Sequence, residues 1–281
     1  MRYLTIALTK GRLANKTLEM LEAVGITCEE MKDKNTRKLI FVNEELKLRF
    51  FLAKGPDVPT YVEYGAADIG VVGRDTILEE GRKLYEVMDL GFGKCRMCVC
   101  GPESAKPLLE NNQLIRVATK YPNIAKDYFY NKKHQTVEII KLNGSIELAP
   151  IVGLSEVICD IVETGSTLRE NGLSILEEVC PLSARMVVNQ VSMKMESERI
   201  SELIQKLKKV IKEARQMRIV KLTKETTKNI LENMLKRSPS QYGEYESRVQ
   251  DIIAQVKEKK DEAVFDYTRK FDKADIDASN I

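Results

Sequence analysis

Histidine is almost absent from this sequence, because His134 is the only one among its 281 residues. It lies in the polar run 131–135, where we expect an exposed loop residue rather than a catalytic base, and nothing near it resembles a triad. Cysteine is also sparse. A metal half-site at Cys95 and Cys98 would need a second pair at workable spacing, but Cys159 and Cys180 lie far apart. We therefore predict no structural zinc site and expect reduced thiols in the core.

Strong charge of one sign and long apolar runs are also missing. The chain carries 45 Lys and Arg against 42 Asp and Glu, a net charge of +3, which argues against a binder of nucleic acid or of anionic membranes. No apolar run approaches the roughly 20 residues that span a bilayer. The first eight residues lead directly into the polar run 9–12, unlike a signal peptide. We predict a cytoplasmic protein.

The sequence changes character near residue 216, since fourteen of the fifteen glycines and all six cysteines precede it. Before this point, short β-rich runs alternate with helical segments, which indicates an α/β domain. Strands are predicted at residues 2–8, 39–42, 46–53, 69–72, 96–100, 115–118, 136–141, 174–178 and 186–193. Helices are predicted at residues 13–24, 58–64 and 196–214.

Beyond residue 216 the pattern restarts and becomes mostly helical. A short strand is predicted at residues 218–222, followed by amphipathic helices at 225–236 and 245–259. The two parts differ enough in composition to indicate two domains. We place them at residues 1–214, an α/β unit, and at residues 217–281, a mostly helical C-terminal extension.

The strongest chemical pattern lies between residues 143 and 168. Apolar residues at helical spacing within 150–162 predict a helix, which leads into a loop of small polar residues at 163–168. Glycine and small side chains let successive backbone N–H groups converge, and hydroxyls add donors, so this loop can hold a phosphate monoester. Asp160 and Glu163, just before this loop, are acceptors suited to ribose hydroxyls, and Glu147 lies at the start of the same predicted helical unit. The pattern predicts a sugar phosphate site, and its alternative is an ordinary glycine-containing turn.

Ten positions in this segment resemble the signature of the ATP phosphoribosyltransferase family. They are Glu147, Gly153, Ser155, Ile158, Asp160, Ile161, Thr164, Gly165, Thr167 and Leu168. Further stretches, at residues 7–13, 57–63, 67–75 and 117–123, are similar to other motifs of the family, so the resemblance covers residues 1 to about 214. It implies a catalytic unit of two α/β lobes, like a type II periplasmic binding protein, with the first and last strands in one lobe.

The resemblance also implies an activity, the first step of histidine biosynthesis. In that step N1 of the ATP adenine displaces pyrophosphate from C1 of phosphoribosyl pyrophosphate, with Mg²⁺ carried by the pyrophosphate substrate. Positioning and charge placement dominate such a displacement, because it needs little covalent help from the protein. The alternative is a two-lobed module that binds a small ligand without turnover, since fold alone does not assign function.

The residue pattern and the resemblance together assign a candidate site. Glu147 and Asp160 are the candidate catalytic residues, near the ribose hydroxyls. The residues assigned to phosphoribosyl pyrophosphate are Glu163, Thr164, Gly165, Ser166, Thr167 and Leu168. Those assigned to ATP are Lys10, Gly11, Arg12, Asp68 and Arg74, the last at a position where relatives often carry lysine. Lys54, Arg96 and Lys120 also follow or begin strands and are interpreted as surface cations, and no residue is assigned to the metal.

The C-terminal segment resembles the N-terminal part of histidinol dehydrogenase, at residues 249–259 and 261–272. That family uses histidines for zinc binding and proton transfer, and the segment has none, so we expect no histidinol oxidation by this chain. We interpret the segment as a truncated remnant or as the start of a longer fusion. The transferase part resembles the short form of its family. This form implies a regulatory subunit similar to histidyl-tRNA synthetase, in a hetero-oligomer, with a homodimer as the other assembly considered.

Overall fold

The computed structural model describes residues 1–32, 38–215 and 243–271. The chain separates into two compact units, Met1–Gln216 and Met217–Ile281. The predicted strand 218–222 and helix 225–236 lie outside the described residues. Among the described helices, none combines the length and the apolar composition needed to cross a membrane.

The first unit contains a mixed sheet of six strands with the spatial order β2-β3-β1-β4-β11-β5. The strands are β1 (Leu4–Thr9), β2 (Ile40–Asn43), β3 (Leu48–Ala53), β4 (Ile69–Gly73), β5 (Tyr85–Asp89) and β11 (Ala184–Val188). At its centre β1 pairs in parallel with β3 and with β4, while β11 runs antiparallel to β4 and to β5. We call this sheet and the helices on it lobe 1.

A second mixed sheet has five strands in the order β10-β6-β9-β7-β8. The strands are β6 (Cys95–Gly101), β7 (Ile115–Thr119), β8 (Val137–Lys141), β9 (Val157–Val162) and β10 (Ser174–Leu182). Parallel pairing again occupies the middle, where β7 lies between β8 and β9. This sheet and its helices form lobe 2, and the chain passes from lobe 1 to lobe 2 before β6 and returns after β10.

Short helices connect most of the strands. In the first unit they are α1 (Arg12–Ala23), α2 (Val58–Glu63), α3 (Arg74–Glu80), α4 (Lys106–Glu110), α5 (Pro122–Lys126), α6 (Leu148–Ile151), α7 (Ser166–Glu170), α8 (Gln190–Met195) and α9 (Ser197–Arg215). Short 3-10 turns lie at Glu29–Lys32, Gly55–Asp57 and Glu103–Ala105, and a π-helical turn lies at Asp127–Lys132.

The two-lobed α/β architecture expected from the sequence is confirmed. The first and last strands, β1 and β11, lie in the same sheet, as predicted. Helix α9 buries its predicted apolar face, including Ile200 and Leu207, in the core of lobe 1. In lobe 2 the thiols of Cys98, Cys100 and Cys159 are buried in β6 and β9, the core position expected for them.

Residues 150–162 are the main place where the predicted secondary structure is wrong. Only Leu148–Ile151 is helical, and Val157–Val162 is strand β9, which lies between β6 and β7. Residues 157, 158 and 161 do repeat at helical spacing. They belong, however, to a short run rich in β-branched residues, and a strand buried on both faces shows such runs too. The loop at residues 163–168 therefore follows a strand, not a helix.

Two smaller differences lie near β11. The predicted strand 186–193 ends at Val188, because Asn189 begins helix α8 by accepting hydrogen bonds from the amides of Val191 and Ser192, both at 2.9 Å. Strand β5 was not predicted from the sequence. Its side chains are partly exposed at the edge of the sheet, so it lacks the apolar run by which a central strand is recognised.

The described part of the second unit is a pair of helices, α10 (Gly243–Lys259) and α11 (Asp261–Phe271). The first contains the predicted helix 245–259. The Tyr267 hydroxyl donates a hydrogen bond to Gln255 Oε1 at 2.9 Å, and Ala263 is buried. The two helices thus pack against each other through apolar and polar contacts.

Asp68 joins three separate parts of lobe 1. It precedes β4 and is only 3% exposed. Its carboxylate accepts hydrogen bonds from Arg2 Nη2 at 2.7 Å, the Thr5 amide at 2.7 Å and the Ser192 hydroxyl at 2.6 Å. Burial raises the pKa of Asp68, but the bonds from Arg2, Ser192 and Thr5 outweigh it, and the pKa lies below its ordinary value.

Replacing Asp68 with Ala is expected to destabilise the folded protein by about 1–3 kcal/mol at pH 7, because buried donors lose their acceptor. The loss is measured by urea unfolding. Since the pKa of Asp68 is lowered by folding, its contribution is present above the unfolded pKa of about 3.9 and is lost as pH falls through the folded pKa. The difference between parent and variant should therefore shrink in acid. The exposed Asp57→Ala is the control, and equal effects of the two substitutions would contradict this account.

Candidate active site

The loop after β9 has the backbone geometry expected of an anion-binding loop. Gly165 has a φ of 73°, in the left-handed region, and is followed directly by the helical Ser166 of α7. A left-handed residue beside a right-handed one turns successive N–H groups toward one side of the chain. The loop therefore presents amides from its own backbone without needing a lysine.

Hydrogen bonds and packing hold this loop in place. The Thr164 and Ser166 hydroxyls lie 3.1 Å apart, and Arg169 Nη1 donates to the Thr164 carbonyl at 3.2 Å. Leu168 is 6% exposed and belongs to the apolar core of lobe 2 with Ile158. Of the residues predicted to bind phosphoribosyl pyrophosphate, Leu168 can therefore contribute only through its backbone.

A cavity of about 310 Å³ brings the predicted acids and the loop together. Its lining includes Glu147, Asp160, Glu163 and the whole of residues 164–168. Glu147 lies at the N-terminus of α6, and Asp160 lies in β9 close to its carboxyl end. The candidate catalytic residues and the candidate phosphate loop thus share one cavity.

Asp160 is a partly buried carboxylate of this cavity with a raised pKa. Its carboxylate accepts a hydrogen bond from the Ile161 amide at 2.8 Å. Burial, together with the charge of Glu147, raises the pKa of Asp160 to about 6, although the Ile161 amide and Lys120 act in the opposite direction. The carboxylate is therefore ionised at neutral pH and becomes protonated only a little below it.

The predicted basic element of lobe 1 meets this cavity across the cleft. Gly11 has a φ of 95° between the exposed Lys10 and Arg12, so the chain reverses there through a conformation that favours glycine. Arg12 Nη2 lies 3.4 Å from Glu163 Oε2. This exposed pair adds little stability, but it shows that two predicted groups of site residues lie close together.

Asp68 and Arg74, both predicted to contact ATP, make contacts within the protein. Asp68 lies at the amino end of β4, away from the carboxyl ends, and its oxygens are occupied by Arg2, Thr5 and Ser192. The Arg74 guanidinium donates to the Pro181 carbonyl at 3.3 Å and lies 3.9 Å from a Glu86 oxygen. Both side chains serve the structure of lobe 1 and its connection to lobe 2.

Two residues that the sequence analysis did not assign to the site lie near the cleft: Lys120, interpreted as a surface cation and exposed in the structure, and Asp75. Thr119 pairs with Cys159 across the parallel strands β7 and β9, so Lys120 lies beside Asp160 at the same end of the sheet. Asp75 follows β4 within two residues and occupies the first turn of α3. The available signal was their position at strand ends. His134, by contrast, is an exposed residue after the π-helical turn, as predicted.

Comparisons with known proteins identify relatives of this chain. The family model HisG: ATP phosphoribosyltransferase matches residues 54–209. An ATP phosphoribosyltransferase of Lachnoclostridium phytofermentans is 79% identical over 214 residues, which cover 76% of this chain and 100% of that protein. One of Lachnospira eligens is 78% identical over 211 residues, covering 75% of this chain and 98% of that protein.

A solved structure shares the fold as well. The Thermotoga maritima ATP phosphoribosyl transferase (HisG:HisZ) complex contains a chain with 34% identity and a TM-score of 0.62, covering 75% of this chain and 99% of that one. The resemblance read from residues 143–168 and from the other motifs is thereby confirmed for the first unit. The chain belongs to the ATP phosphoribosyltransferase family.

Proposed function

We propose that the cavity of lobe 2 binds phosphoribosyl pyrophosphate and that the chain joins C1 of this substrate to N1 of the ATP adenine, releasing pyrophosphate. This pentosyl transfer is the first step of histidine biosynthesis. The observation that supports it most is the cavity itself, in which Glu147 and Asp160 share a lining with the loop 164–168. An acid pair beside an amide-rich loop suits a sugar that carries a phosphate.

The loop is proposed to hold the 5-phosphate. Backbone amides that converge after a left-handed glycine attract an anion, and the hydroxyls of Thr164, Ser166 and Thr167 add donors at the exposed rim. Glu163 lies at the mouth of the cavity, where its charge is shared with Arg12. Its role is therefore that of a contact between the lobes as much as that of a sugar ligand.

Asp160 and Glu147 are proposed to accept hydrogen bonds from the ribose hydroxyls. Carboxylates that bind the ribose hydroxyls would lie near the carbon at which positive charge develops as pyrophosphate leaves, and this fixed negative charge would favour the transition state. Lys10, Gly11 and Arg12 approach from lobe 1 and are proposed to meet phosphates of ATP or of the leaving pyrophosphate. Asp68 and Arg74 are not part of this proposal.

Mg²⁺ is proposed to arrive with the pyrophosphate group. In the described ranges of the chain there is no cluster of three or more metal-ligating side chains. In sites of this kind Mg²⁺ usually keeps several waters and is held by substrate phosphates with one or two carboxylates. When bound, the ion would offset the charge of the leaving group.

The assembly and the C-terminal segment are also proposals. The Thermotoga maritima structure is named as a HisG:HisZ complex, which supports a regulatory subunit, similar to histidyl-tRNA synthetase, for this chain too. Residues 217–281 lie beyond the family match, which ends at residue 209. We propose that they derive from the N-terminus of a histidinol dehydrogenase and form a separate domain after the transferase unit at residues 1–214.

The proposed activity is tested by incubating the full chain with ATP, phosphoribosyl pyrophosphate and Mg²⁺, with and without a HisZ subunit. We expect phosphoribosyl-ATP and pyrophosphate in equal amounts, measured by chromatography, with faster formation when the subunit is present. A two-lobed binding module would bind ligand but form no product. Absence of product under both conditions, with phosphoribosyl pyrophosphate still bound, would favour that alternative.

Replacing Gly165 with Val is expected to raise the Kd for phosphoribosyl pyrophosphate about tenfold or more, measured by calorimetry, since a loss of 1.4 kcal/mol is tenfold in affinity. Gly153→Val is the matched control. Gly153 has a φ of 74°, nearly that of Gly165 at 73°, so both substitutions strain the backbone alike. Gly153 does not line the cavity, and its variant should bind normally. Equal affinities of the two variants for phosphoribosyl pyrophosphate would contradict the proposal that this loop binds the 5-phosphate.

Asp160 predicts a specific pH dependence of binding. With its pKa at about 6, the carboxylate is mostly ionised at pH 7 and mostly protonated at pH 5. Protonation removes an acceptor, so the affinity for phosphoribosyl pyrophosphate should fall by about tenfold at pH 5 relative to full ionisation. Calorimetry from pH 5 to pH 8 measures this. The substrate phosphate also titrates near pH 6. In Asp160→Asn only the titration of the substrate phosphate should remain. If the pH dependence of the affinity is the same in this variant as in the parent, Asp160 does not bind the sugar.

A further inference from the structure

Asp75 is held in a fixed position at the edge of lobe 1. It lies in the first turn of α3, just beyond the carboxyl end of β4. Its carboxylate accepts hydrogen bonds from its own amide and from Thr76, whose hydroxyl lies 3.3 Å from Oδ2. A Cβ on Gly73 would lie only 2.1 Å from Asp75 Oδ1, so the carboxylate occupies space that any other residue at 73 would need. The absence of a side chain at Gly73 and the contact with Thr76 therefore fix the position of the Asp75 carboxylate.

The face of α3 that carries Asp75 is turned toward lobe 2. Glu79, one turn later, accepts hydrogen bonds from the amides of Asn123 and Ile124 at the start of α5, at 3.0 and 3.1 Å. Residues four apart share a helix face. Asp75 therefore faces the chain just before α5, at the carboxyl end of β7.

Asp75 in lobe 1 and Asp160 in lobe 2 interact electrostatically with the same residues of lobe 2. Burial raises the pKa of each carboxyl, and Lys120 lowers the pKa of each, by less. Burial, followed by the charges of Asp75 and Asp160, raises the pKa of the Tyr121 phenol. The two carboxylates thus act on the same two side chains of lobe 2. Burial, followed by the charge of Asp75, also raises the pKa of the Cys95 thiol on β6.

The surroundings of Asp75 differ from those of Asp68. Asp68 forms an ion pair with Arg2 at 2.7 Å, whereas in the part of the chain that the structure describes Asp75 forms none within 4.0 Å. A carboxylate that is withdrawn from water without a cationic partner costs stability. Such groups concentrate at functional sites, where they are placed to accept a proton.

We propose that Asp75 is a further catalytic residue, which accepts a proton from the 6-amino group of the ATP adenine. This inference rests on the proposed function. As the N1 lone pair forms the bond to C1, the electron pair of the C1–O bond leaves with pyrophosphate, and the adenine ring gains a positive charge. Transfer of one 6-amino proton to an Asp75 oxygen leaves the N–H electron pair on the ring as a neutral imine. Asp75 lies in lobe 1 on the helix face that is turned toward lobe 2, and Lys120 and Tyr121 lie near both Asp75 and Asp160.

The test compares Asp75→Asn with the parent in the full chain, with HisZ present. A lost proton acceptor is expected to lower kcat about 100-fold or more, with the Kd values for both substrates nearly unchanged. Asp75→Ala should then regain part of its turnover when formate is added, because the free carboxylate can enter the vacated space. Glu80→Gln, on the same helix, is the matched control. Its turnover should equal that of the parent and should not change when formate is added.

A structural role gives a different pattern. If Asp75 only stabilises the start of α3, its variants unfold at lower urea concentration but turn over like the parent and do not respond to formate; that result overturns the proposal. Should Asp75→Asn fail to bind phosphoribosyl pyrophosphate, Asp75→Glu decides, since it keeps a carboxylate and is expected to exceed Asp75→Ala in turnover. Equal turnover of those two variants also overturns it. A parent chain that makes no product would instead overturn the proposed function.

Discussion

Parallel pairing at the centre of each sheet is the constraint on which the site depends. In lobe 1, β1 lies parallel to β4, and in lobe 2, β7 lies parallel to β9. Parallel strands end at the same edge, so the segments that follow them gather there, and ligands of α/β proteins bind at that edge. Lys10–Arg12 and Asp75 are collected on one side of the cleft in this way, and Lys120, Asp160 and the loop 164–168 on the other.

The buried and partly buried carboxylates of the two lobes differ in their hydrogen-bond partners and in the direction in which their pKa is shifted. Asp68 has a full set of donors and a lowered pKa, which is how a buried carboxylate stabilises a fold. Asp160 and Asp75 are also withdrawn from water, but burial dominates and their pKa is raised. Chemistry at neutral pH needs groups of this second kind. The direction of each pKa shift depends on the groups that surround the carboxylate, not on its position along the chain.

Most strands and the loop of small residues could be predicted from the sequence, and the predictions that were wrong or missing have physical causes. Alternating runs and turn residues located most strands, and the small-residue loop was found because its chemistry is local. The segment 157–162 was misread because a buried strand and a helix can share apolar spacing over six residues. The contacts of Asp68 could not be predicted, because its partners Arg2 and Ser192 lie 66 and 124 residues away. Asp75 was passed over because its surroundings come from lobe 2.

The central claim is that the glycine loop after β9 binds the phosphate of the sugar while Asp160 holds its ring. A crystal structure of the chain with phosphoribosyl pyrophosphate and Mg²⁺ tests it most directly. The account predicts phosphate oxygens within hydrogen-bond distance of the amides of residues 165–168 and ribose hydroxyls on the Asp160 carboxylate. A sugar phosphate bound elsewhere, with this loop empty, would contradict it.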